Sequence, residues 1–395
     1  MKNLTIVAVL FAITGCGEKP MNFSIANTSN RAQMAVVSVT VSQWDLPDRS
    51  YVAKNEGGGV FPVELIDEND DGKIDIGLLQ IEVPPSETLV LALEPGDAGL
   101  KKQTQAELSA RQGGTWEGNK YKGGKFGNVS RLKVPEEHTD HSFFIRYEGP
   151  GWESDKAAYR FYLDWRNGVD FFGKKVSDMV LQNVGQDGFD SYHEPSDWGM
   201  DLLKVGQTLG LGSIGRYQND SLYRFQSVDS VTCEIIRNGE LRSEIETTYF
   251  GWQTESDKTT LTSVISIDAG SALTSHSLSF DQPIGGFCTG LVANIGEEFI
   301  DKTVGDYRLL ATFGEFSLAG DKMGLAIIVP NESIEKVSDG AGSHVVNFKP
   351  SKEIEYYFMA AWEQDASQVK SMDAFEALMD AEMNRLNNPL KVTLE

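Results

Sequence analysis

Apolar and polar positions alternate with a period of two in short runs separated by Gly, Asp and Asn, the pattern of half-buried β-strands bounded by turns. Such runs, rich in Val, Ile, Phe and Tyr, cover 35–41, 73–83, 88–93, 142–147, 231–237 and 285–291. Helical spacing is strong once, near the end, where Phe375, Leu378, Met379, Met383 and Leu386 share one face of an amphipathic helix over 373–386. The pattern predicts a mostly β protein, a β-sandwich with few helices and a C-terminal amphipathic helix. A polar stretch rich in Gly and Lys, from Lys101 to Gly127, interrupts the alternation and reads as a long exposed loop. It divides an N-terminal β portion, 31–127, from a main β-sandwich domain, 128–395, and no internal repeat is visible.

The first thirty residues follow other rules. A basic Lys2 precedes an apolar run from Leu4 to Ile13, too short to span a bilayer but of the length of a secretory leader. The run ends in Ile13-Thr14-Gly15-Cys16, which resembles the lipobox at which lipoprotein leaders are cleaved and the cysteine is lipidated. The expectation is a signal peptide over 1–15 and a lipidated tether over 16–30 that opens with Gly17-Glu18-Lys19-Pro20. The mature protein is then lipid-anchored in the cell envelope, periplasmic or outer-membrane, and touches the membrane through its lipid alone.

Charge narrows the partners. With 58 acidic and 35 basic residues the formal net charge is −23, which argues against nucleic acid and acidic membrane surfaces. An anionic substrate requires a local cationic pocket or a bridging metal. Cys16 is consumed by lipid, leaving Cys233 and Cys288 in an oxidising compartment, either as a disulfide or as two buried thiols.

Candidate chemistry concentrates in residues 149–201. Ten of the 39 aromatic residues and three of the seven tryptophans fall in these 53 positions, about twice an even share. From Ala157 to Arg166 the sequence alternates strictly, placing Tyr159, Phe161, Leu163 and Trp165 on one face of a strand and Arg160, Tyr162, Asp164 and Arg166 on the other. Same-face residues stand about 6.6 to 6.8 Å apart, so this polar ladder can line a groove for sugar rings or be a half-exposed strand with two Arg/Asp pairs. Flanking loops carry Trp152, Glu153 and Asp155 on one side and Asp170 to Lys175, with Lys174, on the other. A second loop gathers Tyr192, His193, Asp197, Trp198 and Asp201. His193 is the natural proton carrier, since an imidazole titrates near neutrality.

Other motifs are weaker. Asp67, Asn69, Asp71, Gly72 and Asp75 have the alternating oxygens and glycine of a calcium loop, but Leu78 replaces the bidentate Glu of an EF-hand. The loop is a calcium site or a plain Asp/Gly turn; no organic cofactor is expected. His138, Asp140 and His141 form half a zinc site that no Cys or His cluster completes. Gly206, Gly210, Gly212 and Gly215 lack the Lys and the βαβ frame of a nucleotide loop. No Gly-x-Ser-x-Gly elbow and no His-Glu-x-x-His occurs.

The run Glu148 to Asp155, with Tyr159 to Asp164 and Tyr192-His193 to Trp198-Gly-Met-Asp201, resembles a bacterial family catalogued only as a domain of unknown function. The resemblance covers most of the mature chain and implies membership of gene clusters that degrade pectin and other uronate polysaccharides. Ser266 to Thr274 is similar to the β-supersandwich of galactose mutarotase-like domains and several polysaccharide lyases. These likenesses imply a fold and a context; neither assigns catalytic residues. The function expected is action on acidic, uronate-containing oligo- or polysaccharides, by β-elimination or by hydrolysis. Elimination casts Arg160, Arg166 and Lys174 as neutralisers of the uronate, His193 and Tyr162 as base and acid, and Trp152 and Trp198 as stacking platforms. Hydrolysis draws two carboxylates from Glu153, Asp155, Asp164, Asp197 and Asp201. A non-catalytic glycan-binding lipoprotein and a mutarotase- or epimerase-type isomerase are the alternatives.

Overall fold

The computed structural model describes residues 21–188, 191–254, 257–294 and 296–395. The leader, Cys16 and the first part of the tether lie outside the described residues. The regular structure of the rest is mainly antiparallel strands, as the alternation requires.

Two layers form the main body. One is a nine-stranded sheet in the order Arg131–Lys133, Ser230–Asn238, Arg242–Gln253, Lys258–Asp268, Thr274–Phe280, Glu353–Trp362, Met323–Pro330, Tyr307–Gly314 and Glu298–Val304. The other consists of two five-stranded sheets. The first of these, here the site sheet, runs Gly199–Asp201, Val169–Lys174, Ala158–Phe161, Gly151–Ser154, Thr104–Glu107. The second runs Ser221–Tyr223, Gly215–Gln218, Phe287–Val292, Ser343–Phe348, Ile334–Gly340. Their inner faces interdigitate in one core, where Trp152, Tyr159, Phe161 and Phe171 of the site sheet meet Ile245, Ile265, Leu325 and Phe358 of the long sheet. In Lys258–Asp268, Leu261, Ser263, Ile265 and Ile267 turn inward while the residues between them face out, the two-residue period of a pleated strand. This is a supersandwich.

The helix Met372–Asn387 covers the back of the long sheet. Ser371 caps it, its Oγ accepting from the Ala374 amide at 3.3 Å. Phe375, Met379 and Met383 bury against Leu309, Ala311, Ala326, Ile328 and Met359. The close approach depends on Gly324, where a Cβ would stand 2.6 Å from the Phe375 ring.

A seven-stranded sheet with its own core of Phe23, Ile25, Val37, Val39, Leu79, Ile81, Leu91 and Leu93 holds the N-terminal portion. Met21–Ala26, expected as tether, is a strand in it because Phe23 and Ile25 are apolar alternates that pair with Thr88–Pro95 on one side. On the other side it pairs with Lys391–Leu394, so the C-terminus completes the N-terminal sheet.

The Lys101 to Gly127 stretch is not a loop. Thr104–Glu107 is the edge strand of the site sheet, and Ser109–Glu117 pairs with Lys120–Asn128 in a two-stranded hairpin. Its glycines disguised it: Gly114 and Gly124 are places where a Cβ would meet the partner strand's carbonyls at 2.4 and 2.3 Å. Conversely, 142–147 is not a strand, since it bends through left-handed Phe143 and Tyr147 into a short 3-10 turn at Arg146–Glu148.

Cys233 and Cys288 are both free and buried, which removes the disulfide reading. They belong to different sheets and different packing clusters, and burial pushes each thiol up to about 12.

Candidate functional site

The outer face of the site sheet is covered by loops, and the side chains between are polar. Antiparallel register sets Arg160 directly opposite Asp170, and Phe172 opposite Asp201 one strand further on. This is how residues 41 positions apart come to share one charge. All five N–H groups of Arg160 are engaged. Nε and Nη2 donate to Asp170 Oδ2 at 3.1 and 2.8 Å, and Nη2 to Asp201 Oδ2 at 2.7 Å. Nη1 donates to the Tyr147 carbonyl at 3.2 Å and to the Tyr192 hydroxyl at 3.0 Å. Tyr162 donates its hydroxyl to Asp170 Oδ2 at 2.7 Å. Arg160 is 2 % exposed and Asp170 fully buried. Desolvation first, then the nearby Asp201, pushes the Asp170 carboxyl up to about 7. Burial likewise raises the phenols of Tyr162 and Tyr192, the latter to about 12.

His193 is the outward member of this cluster. Its Nδ1 lies 3.2 Å from Asp201 Oδ2 while its side chain stays 31 % exposed. Its ring packs 4.5 Å from that of Tyr192. Asp201 is 1 % exposed, and its Oδ1 has no hydrogen-bond partner among the described residues.

A second cluster adjoins it. Arg166 grips Asp164 with Nε and Nη2, the latter at 2.6 Å, and reaches Asp140 at 3.0 Å and Glu148 at 3.3 Å. The His141 amide donates to Glu148 Oε1 at 2.8 Å, and His141 Nδ1 lies 2.6 Å from Asp140. Desolvation raises the Glu148 carboxyl against the pull of Arg160 and Arg166. Burial acts the same way on Asp140, but Arg166 and His141 outweigh it and hold that carboxyl below its ordinary value. The Tyr162 ring joins the clusters, with the Arg160 and Arg166 guanidinium carbons 5.0 and 4.3 Å from its centroid. His138, Nδ1 against Ser142 Oγ at 2.8 Å, is a buried support that desolvation drives down to about 4.

The backbone is strained here. His141, Phe143, Tyr147, Glu148 and Asn167 are all left-handed, five of the twelve such non-glycine residues described. Positions held in that conformation require surroundings that over-determine them, and they cluster at functional sites. The turn also needs Gly149, where a Cβ would fall 1.8 Å from the Phe161 carbonyl oxygen.

Of the residues singled out from sequence, Arg160, Tyr162, Asp164, Arg166, Tyr192, His193 and Asp201 come together, with Trp198 partly buried against Phe172. The predicted ten-residue strand is shorter, Ala158–Phe161, and Tyr162 opens a tight turn closed by its amide bond to Gly168 at 2.9 Å. Trp152 is no stacking platform: it lies in the core, stacked on Tyr159 and donating Nε1 to Thr274 at 3.0 Å. Lys174 cannot neutralise a substrate, because it is buried against Glu153 at 2.6 Å. Glu153 is spent on Lys174 and on the amides of Val180 and Leu181, both at 2.8 Å. Asp155 accepts from the Gly270 amide at 2.6 Å and pairs with Lys156 at 2.9 Å. Arg160, with every donor taken, does not face a ligand either. The calcium-like loop stands apart in the N-terminal sheet, and Asp67, Asn69, Asp71 and Asp75 accept from its own backbone amides.

Asp170 and Glu148 belong by sequence to the flanking loops, and Asp140 and His141 to the half zinc site. The signal for Asp170 is its alternation with the core residues Val169 and Phe171; only the register sets it against Arg160. The half zinc site is joined by Glu148, and the ligand atoms of Asp140, His141 and Glu148 lie within 4.8 Å of one another, with Arg166 at the same carboxylates.

The profile of a family described as a domain of unknown function, DUF4861, matches residues 25–392. An uncharacterized protein P7 of Formosa agariphila is 21 % identical over 360 residues, covering 85 % of this chain and 82 % of its own. Among solved structures, a glycosyl hydrolase family 38 protein from Enterococcus faecalis aligns at a TM-score of 0.46 and 8 % identity over 96 % of this chain. An α-mannosidase from the same organism aligns at 0.47 and 9 % identity over 96 %. The chain spans about half the length of those two structures, 48 % and 46 %.

Proposed function

The chain belongs to the DUF4861 family, whose chemistry is unassigned, and from that premise we propose that it is a carbohydrate-active enzyme that hydrolyses glycosidic bonds in uronate-containing oligo- or polysaccharides. The reading includes the cell-envelope lipoprotein context that the leader and lipobox suggest. One observation carries the chemistry: a partly exposed His193 whose Nδ1 lies 3.2 Å from a buried carboxylate, Asp201, itself anchored by Arg160. A carboxylate in that position fixes the tautomer, leaving Nε2 as the basic atom, and stabilises the imidazolium formed when the ring takes a proton. The raised Glu148 carboxyl beside the lowered Asp140 supplies a second proton-carrying pair with opposed preferences, as acid/base chemistry requires.

Electrostatics favour hydrolysis over elimination. Elimination needs a cation to neutralise the uronate carboxylate before its neighbouring proton can leave. Arg160 and Lys174 are saturated by internal carboxylates, and Arg166 faces Asp140, Glu148 and Asp164 together. The test is incubation with pectic, alginate and ulvan oligosaccharides, following product masses and ultraviolet absorbance together. Products heavier by water without new absorbance are expected, and lost in His193→Gln. New absorbance on cleavage would turn the reading to a lyase. Binding without any change of mass would turn it to glycan capture.

A further inference from the structure

The Ser109–Glu117 and Lys120–Asn128 hairpin reverses the sign of the protein. In a chain of net charge −23, residues 109–128 carry Arg111, Lys120, Lys122 and Lys125 against one carboxylate, Glu117. All three lysines are exposed. The hairpin is also tied to the site. The Arg111 amide donates to the Phe144 carbonyl at 2.9 Å, its Nε to the Phe143 carbonyl at 2.9 Å, and the Tyr121 amide to Ser142 at 2.8 Å. Trp116, Tyr121 and Phe144 pack ring on ring, with centroids 4.9 to 5.2 Å apart, so the ribbon is anchored to the strained segment that carries His141 and Glu148. Arg111 and Phe126 line the same small cleft as Glu148 and Tyr192.

We propose that this hairpin is the cationic arm of the binding cleft, and that it holds the acidic sugars of a polyanionic glycan on either side of the unit being cleaved. This rests on the reading of the cleft as a glycan site and adds to it. The cluster beneath the cleft holds five carboxylates, Asp140, Glu148, Asp164, Asp170 and Asp201, against the guanidinium groups of Arg160 and Arg166, and its field disfavours a further anion at the reacting position. The hairpin attracts one. A chain lying across both is matched when its charged groups sit on sugars outside the reacting position. Lys122 pairs with Glu117 at 2.5 Å and Lys120 lies 5.2 Å from the Phe143 ring centroid. Both contacts are surface contacts that an anionic polymer exchanges at little cost. A membrane is the poorer partner, since the remaining charge repels acidic headgroups.

The experiment compares the full chain with a Lys120→Gln, Lys122→Gln, Lys125→Gln triple variant and the matching Lys→Arg triple. Calorimetric affinities are taken for partly methyl-esterified pectin and for ulvan at low and raised salt. The wild type is expected to bind at least one polymer, more weakly as salt rises, and the Gln triple to lose about tenfold in affinity with an unchanged melting temperature. The Arg triple should bind like the wild type. Equal affinity of the Gln triple, no binding of any polymer, or preferential binding to phosphatidylglycerol vesicles overturns the proposal. If lysine-dependent binding appears without turnover, the arm stands and the hydrolase reading falls. If turnover is found and the Gln triple binds unchanged, the reverse holds.

Discussion

At the scale of single residues, the cluster around Arg160 divides into groups that titrate and groups that hold them. On the proposed function His193 is the partly exposed proton carrier and Asp201 its orienting partner, and His193→Gln should then lower turnover by about a hundred- to ten-thousand-fold. Its partial exposure keeps the fold insensitive, and thermal unfolding should shift little; a large shift would mark the residue as structural. Asp170 gives a pH signature. Its folded carboxyl sits at about 7 against 3.8 in the unfolded chain, so the folded state binds the proton more tightly. Whatever stability this group gives is fully present below its unfolded value and declines as pH rises through about 7. Asp170→Asn cannot titrate. Its stability relative to wild type should therefore rise between about pH 4 and about pH 7 and level off above, measured by urea unfolding at each pH. A difference independent of pH would show that Asp170 is charged throughout.

The elements that carry these residues are held by buried pairs that take no part in the chemistry. Glu153 and Lys174 sit on the two strands that flank Ala158–Phe161 in the site sheet, and Glu153 also receives the amides that start the Leu181–Asn183 turn, so one ion pair ties the covering loop to the sheet. Breaking it leaves a lone buried charge. Glu153→Gln or Lys174→Met should cost about 3 to 5 kcal/mol in denaturant unfolding, and the double variant less than the sum. Additive losses would mean that the two groups do not act as a pair. The hairpin is an element of the opposite kind, attached by edge hydrogen bonds and a small aromatic cluster and otherwise exposed, which suits a surface that meets a partner.

For the whole molecule, the first and last of the described strands belong to one sheet. Met21–Ala26 lies between Thr88–Pro95 and Lys391–Leu394, so removing residues 389–395 should unpair an edge and open the N-terminal sheet to proteolysis before the supersandwich. Simultaneous cleavage of both would show that they unfold together. The two cores are distinct in composition and share no residue, in keeping with that order. Cys233 and Cys288 should both resist alkylation in the native protein and both react after denaturation without reductant.

The alternation of polar and apolar residues was enough to determine a mostly β chain, the strands 33–40, 76–83 and 88–95 to within a few positions, and the C-terminal helix with its buried Phe375, Met379 and Met383. It also singled out the polar face at Arg160 and Tyr162, because a strand's two faces are written in its own sequence. What it could not contain was register. Whether Arg160 faces Asp170, whether Lys174 meets Glu153 or solvent, and whether Trp152 points into the core all depend on which strand lies alongside and what covers the sheet. The same holds for the hairpin, whose glycines remove the side-chain pattern while the backbone pairing remains, and for Lys391–Leu394, which finds its partner at the far end of the chain. Local sequence sets which face of a strand is polar. Only the pairing of distant strands decides whether that polar face becomes a binding cleft, an internal ion pair or solvent-exposed surface.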